Sequence, residues 1–182
     1  MAKFIKIDQI DVLEAAEFVA PLYVMVAGGM GAGKSFIMEK HVKSLTMVDI
    51  DEVMVKLGFT EYTPAQFAIA MKTVSEQMYR HMKKFTSVIA MGTASKLPTA
   101  INRLYDAKNK GYETVLVHVD TPIDQAVMQN RTRLVYGTHG VSDENEYKIR
   151  QTAIGAANTV ATLRETNLVD YFVFYDNTRK DF

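Results

Sequence analysis

The sequence predicts an α/β fold: a three-layer α/β/α sandwich around a mainly five-stranded parallel sheet. Three observations carry this. Apolar runs of buried-strand length recur at 22–27, 46–51, 88–91, 114–119 and 171–175. Every connection between them is long enough for a helix, which implies parallel strands covered on both faces. The first run leads directly into Gly28-Gly29-Met30-Gly31-Ala32-Gly33-Lys34-Ser35, which fits G-x-x-x-x-G-K-[ST], the phosphate-binding P-loop. Strand, glycine loop and helix together specify a P-loop NTPase architecture, a loop that kinases, ATPases and GTPases share.

Taken in order, residues 8–20 read as a short helix outside the core, mixing Ile10, Leu13 and Phe18 with Asp11, Glu14 and Glu17 and ending at Pro21. Leu22 to Ala27 is the first core strand. In the loop that follows, glycines let backbone N–H groups turn inward as an anion nest, and the next helix adds its positive end. Lys34 is expected at the β- and γ-phosphates and the Ser35 hydroxyl on Mg²⁺. The ATP-binding set is Gly28, Gly29, Met30, Gly31, Ala32, Gly33, Lys34, Ser35 and Phe36, the last opening the helix.

Thr46 to Asp51 reads as the second strand, with Asp49 and Asp51 on one side if the strand persists that far. One carboxylate would take a proton from an acceptor hydroxyl and the other hold a Mg²⁺-bound water. The alternative is a pair of helix-start acids, with Asp51 capping a helix from Glu52. Thr63 as N-cap, Pro64 at N1 and Gln66 at N3 form a capping box for a helix whose apolar stripe is Phe67, Met71, Val74, Met78 and Met82. Val88 to Met91 is the third strand, with Gly92 and Thr93 after it able to approach a ligand. Pro98 to Lys110 is a helix stopped by Gly111. Thr114 to Val119 is the fourth strand, ending at Asp120, and Pro122 begins another helix. That helix leads to Arg131 and Arg133, then to a loop bounded by Gly137 and Gly140. Two planar, always-charged forks beside a glycine-bounded loop suggest a phosphate lid that excludes water. Ser142-Asp143-Glu144 opens a helix to about Thr166. Tyr171 to Tyr175 is the last strand, and Asn177 in the loop beyond it would border a nucleobase.

Composition narrows the function classes. With 21 basic and 21 acidic residues the net charge is zero, which disfavours a protein built mainly to grip nucleic acid, although a polynucleotide end stays among the acceptors. The absence of cysteine excludes disulfides, a thiolate nucleophile and a zinc–thiolate site. The first residues lack a signal-peptide core and no run has the length of a membrane span, so no membrane is expected. A cytoplasmic location is expected, that of a host if the chain is phage-encoded. A GTPase would need N-K-x-D, and Asn109-Lys110-Gly111-Tyr112 lacks the Asp.

From about Leu22 to Thr178 the chain resembles the zeta-toxin-like branch of small P-loop kinases and, more loosely, phage polynucleotide kinases. The resemblance rests on the P-loop, Asp49-Ile50-Asp51, Met91-Gly92-Thr93, Gly111-Tyr112-Glu113-Thr114-Val115, Thr121-Pro122, Arg131 and Arg133 before Gly137 to Val141, and Tyr175-Asp176-Asn177-Thr178. It implies ATP and Mg²⁺ as cofactors, Asp51 as general base, Arg131 and Arg133 stabilising the transferring phosphoryl group, and Asp49 and Thr93 lining the acceptor or metal site, with Ser35 and Asp49 at the metal. The acceptor would be a hydroxyl on a nucleotide sugar, nucleoside, nucleotide or polynucleotide end. Two departures stand out. Met91 replaces an acid that relatives often carry, and Thr138-His139 occupies the place of a second basic lid residue. Both weigh against carrying over the family's acceptor, a nucleotide-activated amino sugar. Residues 1–182 read as one kinase domain, with 1–20 an N-terminal extension and about 134–141 the lid loop; the sequence leaves the oligomeric state open.

Overall fold

The fold was analysed in a computed structural model that describes residues 1–15, 20–59, 63–135 and 146–178. Its sheet has six strands, all parallel, in the order β1-β6-β5-β2-β4-β3. The strands are β1 (Lys3–Phe4), β2 (Leu22–Ala27), β3 (Thr46–Val48), β4 (Val88–Ala90), β5 (Glu113–Asp120) and β6 (Tyr171–Asp176). The helices are α1 (Gln9–Ala15), α2 (Lys34–His41), α3 (Ile50–Lys56), α4 (Pro64–Lys84), α5 (Leu97–Asn109), α6 (Ile123–Val135) and α7 (Glu146–Leu163).

The central strand β2 is buried at every position, as a strand covered on both faces must be. Alternation then divides the core in two. Tyr23, Met25 and Ala27 join Leu116, Ala100, Leu104, Val160 and Leu163, so α5 and α7 cover that face. The α4 stripe adds Val74, Met78 and Met82 to it. Leu22, Val24 and Val26 join Val115, Val117, Ile37, Met38 and Ile10, so α2 and α1 cover the other.

The expectation of five strands is extended by one. Lys3 and Phe4 pair with Tyr171 and Phe172, and Phe4 meets Phe172 edge-on at a centroid distance of 5.0 Å. Two residues are too few to show a strand period in the sequence. The helix expected outside the core is also corrected: Ile10 is 0% exposed. Polar staples fix α1 across the amino ends of the strands. Asp11 accepts from the N–H groups of Lys43 and Ser44 before β3, and the Ser87 hydroxyl, before β4, donates to Glu14 while accepting from Leu22 N–H at 2.8 Å. This places α1 on the sheet edge opposite the phosphate loop.

Thr63 caps α4, accepting from Gln66 N–H at 3.3 Å with Pro64 in the first turn. The return arm of the capping box is not seen, since Gln66 Oε1 is buried without a partner among the described residues. No helix of the described residues is long and apolar enough to cross a membrane.

Asp170 ties α5 to the start of β6. Lys108 reaches it at 2.5 Å, and the Thr114 N–H and hydroxyl donate to it at 2.8 and 3.0 Å. Burial pushes its pKa up, but these donors outweigh burial and hold it below the ordinary value. A carboxylate with a depressed folded pKa stabilises above its unfolded value near ~3.9, and that contribution is lost as pH falls through the folded pKa. Asp170→Asn is therefore expected to lower stability by about 1–3 kcal/mol at neutral pH. Urea unfolding at descending pH should show the gap between variant and wild type narrowing below about pH 4. A gap independent of pH would refute the ionic assignment.

Candidate active site

The carboxyl ends of β2, β3, β4 and β5 form the edge on which a doubly wound sheet binds its ligand, and the phosphate loop, Asp49, Asp51 and Thr93 meet there. Gly33, with φ 77° and ψ 17°, ends the loop in the left-handed region and caps α2 without a side-chain bond. The first N–H groups of α2 thus face the loop with no side chain covering them, which is what an anion site at a helix N-terminus needs. Lys34 folds over the loop, donating to the carbonyls of Gly28 at 3.2 Å and Gly29 at 2.8 Å. Phe36 is 67% exposed on the outer side of α2.

Beside the loop, β3 stops at Val48, three residues short of the strand read from the sequence. Asp49 is the N-cap of α3, so Asp49 and Asp51 are not strand neighbours; the capping residue is Asp49, and Asp51 sits in the first turn of the helix. Capping prevails because the Asp49 carboxylate satisfies two groups at once. Oδ1 accepts from Asp51 N–H at 3.0 Å, and Oδ2 accepts from the Ser35 hydroxyl at 2.7 Å. Asp49 is 7% exposed. The arrangement joins the last residue of the phosphate loop to both acids.

Thr93 arrives from the next strand. Its carbonyl accepts from Gly28 N–H at 3.2 Å and its hydroxyl pairs with Ser95 at 3.0 Å. Ala94 between them has φ 49°, a strained conformation for a residue with a side chain. Met91 is buried at the end of the same strand, an apolar side chain where the resemblance expects an acid.

Two helices close on the loop from the far side. A Cβ on Gly31, where φ is 75°, would strike the Ala126 carbonyl of α6, and one on Gly29 would lie 2.9 Å from Cβ of Ala153 on α7. The Thr152 hydroxyl also accepts from Met30 N–H at 3.0 Å. Thr152 and Ala153 are site neighbours the sequence did not single out; nothing local in the small-residue run of α7 marks them. Arg131 lies beyond Ala126 on α6 and is exposed. The side chain of Arg133 lies outside the described residues, as do 136–141 of the expected lid; residues 134 and 135 belong to α6. Arg150 bridges these helices, meeting Glu146 at 2.6 Å and Asp124 at 3.8 Å.

Asn177 lies against the phosphate loop. Its side-chain amide donates to the Ala32 carbonyl at 3.0 Å, beside the Thr121 hydroxyl, which donates to the same oxygen at 2.9 Å. The register of β6 on β5, Asp120 opposite Asp176, sets this position. His118, inside β5, meets Phe174 edge-on at a centroid distance of 5.7 Å; burial lowers its pKa against the opposing charge of Asp120.

Among the described residues no three His, Cys, Asp or Glu side chains cluster as a metal cage. The donors present, the Ser35 hydroxyl and the Asp49 carboxylate, are the hard oxygen pair suited to Mg²⁺, which takes one or two protein ligands and completes its shell with water and phosphate oxygens.

The fold has clear counterparts among solved structures. A chain of the Pnkp1/Rnl/Hen1 RNA repair complex superposes with a TM-score of 0.66 at 16% identity, covering 82% of this chain and 48% of that one. This chain thus spans about half the length of that relative. A chain of the PezAT chromosomal toxin–antitoxin system of Streptococcus pneumoniae gives 0.62 at 14% identity, covering 93% and 74%. The AvrRxo1-ORF1:-ORF2 complex with ATP gives 0.60 at 12% identity, covering 91% and 57%. At such identities the likeness is one of fold. No curated protein matches the sequence. The family model for Zeta toxin matches residues 9–180, nearly the whole chain. With that match joined to the loop, the paired acids and the sheet order, the chain belongs to the Zeta toxin family.

Proposed function

We propose that the protein transfers the γ-phosphate of ATP to a hydroxyl of a small nucleotide-like acceptor. The observation that carries this is the 2.7 Å bond between Ser35 and Asp49 at the N-terminus of α2, with Lys34 beside it and Asp51 in the first turn of α3. Nest N–H groups and Lys34 hold the triphosphate, leaving the γ-phosphorus toward the α3 acids. The acceptor oxygen attacks that phosphorus, the bond to the β-phosphate oxygen breaks, and ADP leaves. Asp51 takes the hydroxyl proton, and Arg131 with Arg133 balances charge on the transferring group. Mg²⁺, which Ser35 and Asp49 would hold, supplies charge neutralisation on the phosphates. Thr93 lines the acceptor side. Phosphoryl transfer of this kind is mostly positioning and electrostatics.

The acceptor class is open to a direct test. The protein is incubated with γ-labelled ATP and Mg²⁺ against three pools: nucleotide sugars, nucleosides with nucleotides, and 5′-hydroxyl oligonucleotides. Label is expected in one pool only. The oligonucleotide pool is included because one fold relative belongs to an RNA repair complex. The buried Met91 favours a second reading, a nucleotide-binding regulatory module or ATPase switch without kinase activity. Label released only as phosphate, or ATP bound with no turnover, would replace the kinase reading by that one.

A further inference from the structure

Among the described residues, the segment after β6 meets the phosphate loop at the Ala32 peptide. Two donors, the Thr121 hydroxyl at 2.9 Å and the Asn177 amide at 3.0 Å, meet on the carbonyl oxygen of Ala32. The pair is internally ordered as well, since the Asn177 amide also donates to Thr121 Oγ1 at 3.3 Å while that hydroxyl donates onward. The backbone of Asn177 is pinned on both sides: its N–H donates to the Asp120 carbonyl at 2.8 Å, and its carbonyl accepts from Gln125 Nε2 at 2.8 Å. Thr121 and Gln125 are buried, at 8% and 6% exposure. The ends of β5 and β6 and the first turn of α6 thus converge on one carbonyl.

A trans peptide is planar, so its C=O and N–H point in opposite directions. The carbonyl of Ala32 and the N–H of Gly33 belong to the same peptide. Drawing the carbonyl outward onto Thr121 and Asn177 turns the Gly33 N–H toward the interior of the loop, where an anion sits. Gly33 has no side chain to oppose this: a Cβ there would lie 3.1 Å from Asn177 Nδ2.

We propose that Thr121 and Asn177 are positioning residues which, through the Ala32 carbonyl, hold the Gly33 N–H in its phosphate-binding orientation and so set affinity for the polyphosphate of the nucleotide. This rests on the reading of residues 28–35 as a nucleotide-phosphate loop. Asn177 then acts on the phosphates without touching the base, and nucleobase preference is decided elsewhere.

The test is calorimetric titration of the full chain with ATP, ADP and GTP in Mg²⁺ buffer, with no acceptor. Thr121→Val and Asn177→Asp keep side-chain shape but remove the donor. Each is expected to weaken ATP and ADP by about twofold to tenfold, the range for one lost hydrogen bond, because the other donor stays on the Ala32 carbonyl. The ratio of ATP to GTP affinity should stay at its wild-type value. Thr121→Ser keeps the hydroxyl and should restore binding. The double variant should lose more than the product of the two single effects, because it alone leaves the Ala32 carbonyl with neither donor. Asn177 lies beyond the last strand and is only partly buried, so Asn177→Asp remains informative should Thr121→Val fail to fold. Unchanged affinity in Asn177→Asp overturns the assignment, and so does a change confined to the ATP-to-GTP ratio, which would make Asn177 a base reader. Wild-type protein that binds neither ATP nor ADP overturns the phosphate-loop reading itself, and this assignment with it.

Discussion

Lys34→Ala is expected to reduce phosphoryl transfer by at least about a thousandfold, a loss of about 4 kcal/mol of transition-state stabilisation. The side chain is already aimed along the loop, with its ammonium on the carbonyls of Gly28 and Gly29. A triphosphate offers it a stronger acceptor than two neutral carbonyls, so binding exchanges those bonds for a charge-assisted one. Lys34→Arg should fail to rescue. The guanidinium is a wide planar fork, and the loop is enclosed by Ala126 on one side and Ala153 on the other, close enough that Gly31 and Gly29 admit no Cβ without a shift. Initial rates of label transfer, read with the nucleotide-dependent rise in melting temperature, check both variants. Transfer by Lys34→Ala within tenfold of wild type would remove the loop lysine from the reaction.

The phosphate loop was legible because its chemistry is local. Glycine spacing, a preceding apolar strand and a following helix all lie within one stretch of sequence, and the parallel direction of the strands followed from apolar runs separated by helical lengths. What was not legible depended on partners distant in sequence. Asn177 contacts Ala32 only because β6 lies beside β5 in a fixed register. Thr152 reaches Met30 only because α7 crosses the loop. The two acids show a competition of another kind. Strand alternation and helix capping both fit Asp49-Ile50-Asp51, and local pattern does not choose between them. The choice falls to capping because Ser35 supplies a second donor to Asp49, and Ser35 arrives from a different element. The two-residue strand β1 lies below any period that a sequence can display, yet its pairing with β6 makes the N-terminal stretch part of the domain.

The geometry at Asp49 and Asp51 separates their expected roles, and two isosteric variants should part accordingly. Asn is as good an N-cap as Asp, so Asp49→Asn should fold with α3 intact. It loses the negative charge beside the Ser35 hydroxyl, and with it the hard ligand for Mg²⁺. Transfer by Asp49→Asn should therefore be low at ordinary Mg²⁺ and recover in part as Mg²⁺ is raised, while ATP binding without the metal stays unchanged. Asp51→Asn keeps the Ser35–Asp49 pair, because Asp51 enters that arrangement through its backbone N–H. ATP affinity and Mg²⁺ dependence should match wild type, and transfer should fall by about 10²–10⁴, the usual share of a general base. The opposite pattern, Asp51→Asn rescued by Mg²⁺ and Asp49→Asn beyond rescue, would exchange the two roles. It would require the Ser35 hydroxyl to leave Asp49 on nucleotide binding, freeing that carboxylate to take the acceptor proton. Normal transfer by Asp51→Asn with normal metal dependence would leave the deprotonation to the phosphate itself and reduce Asp51 to a first-turn acid of α3.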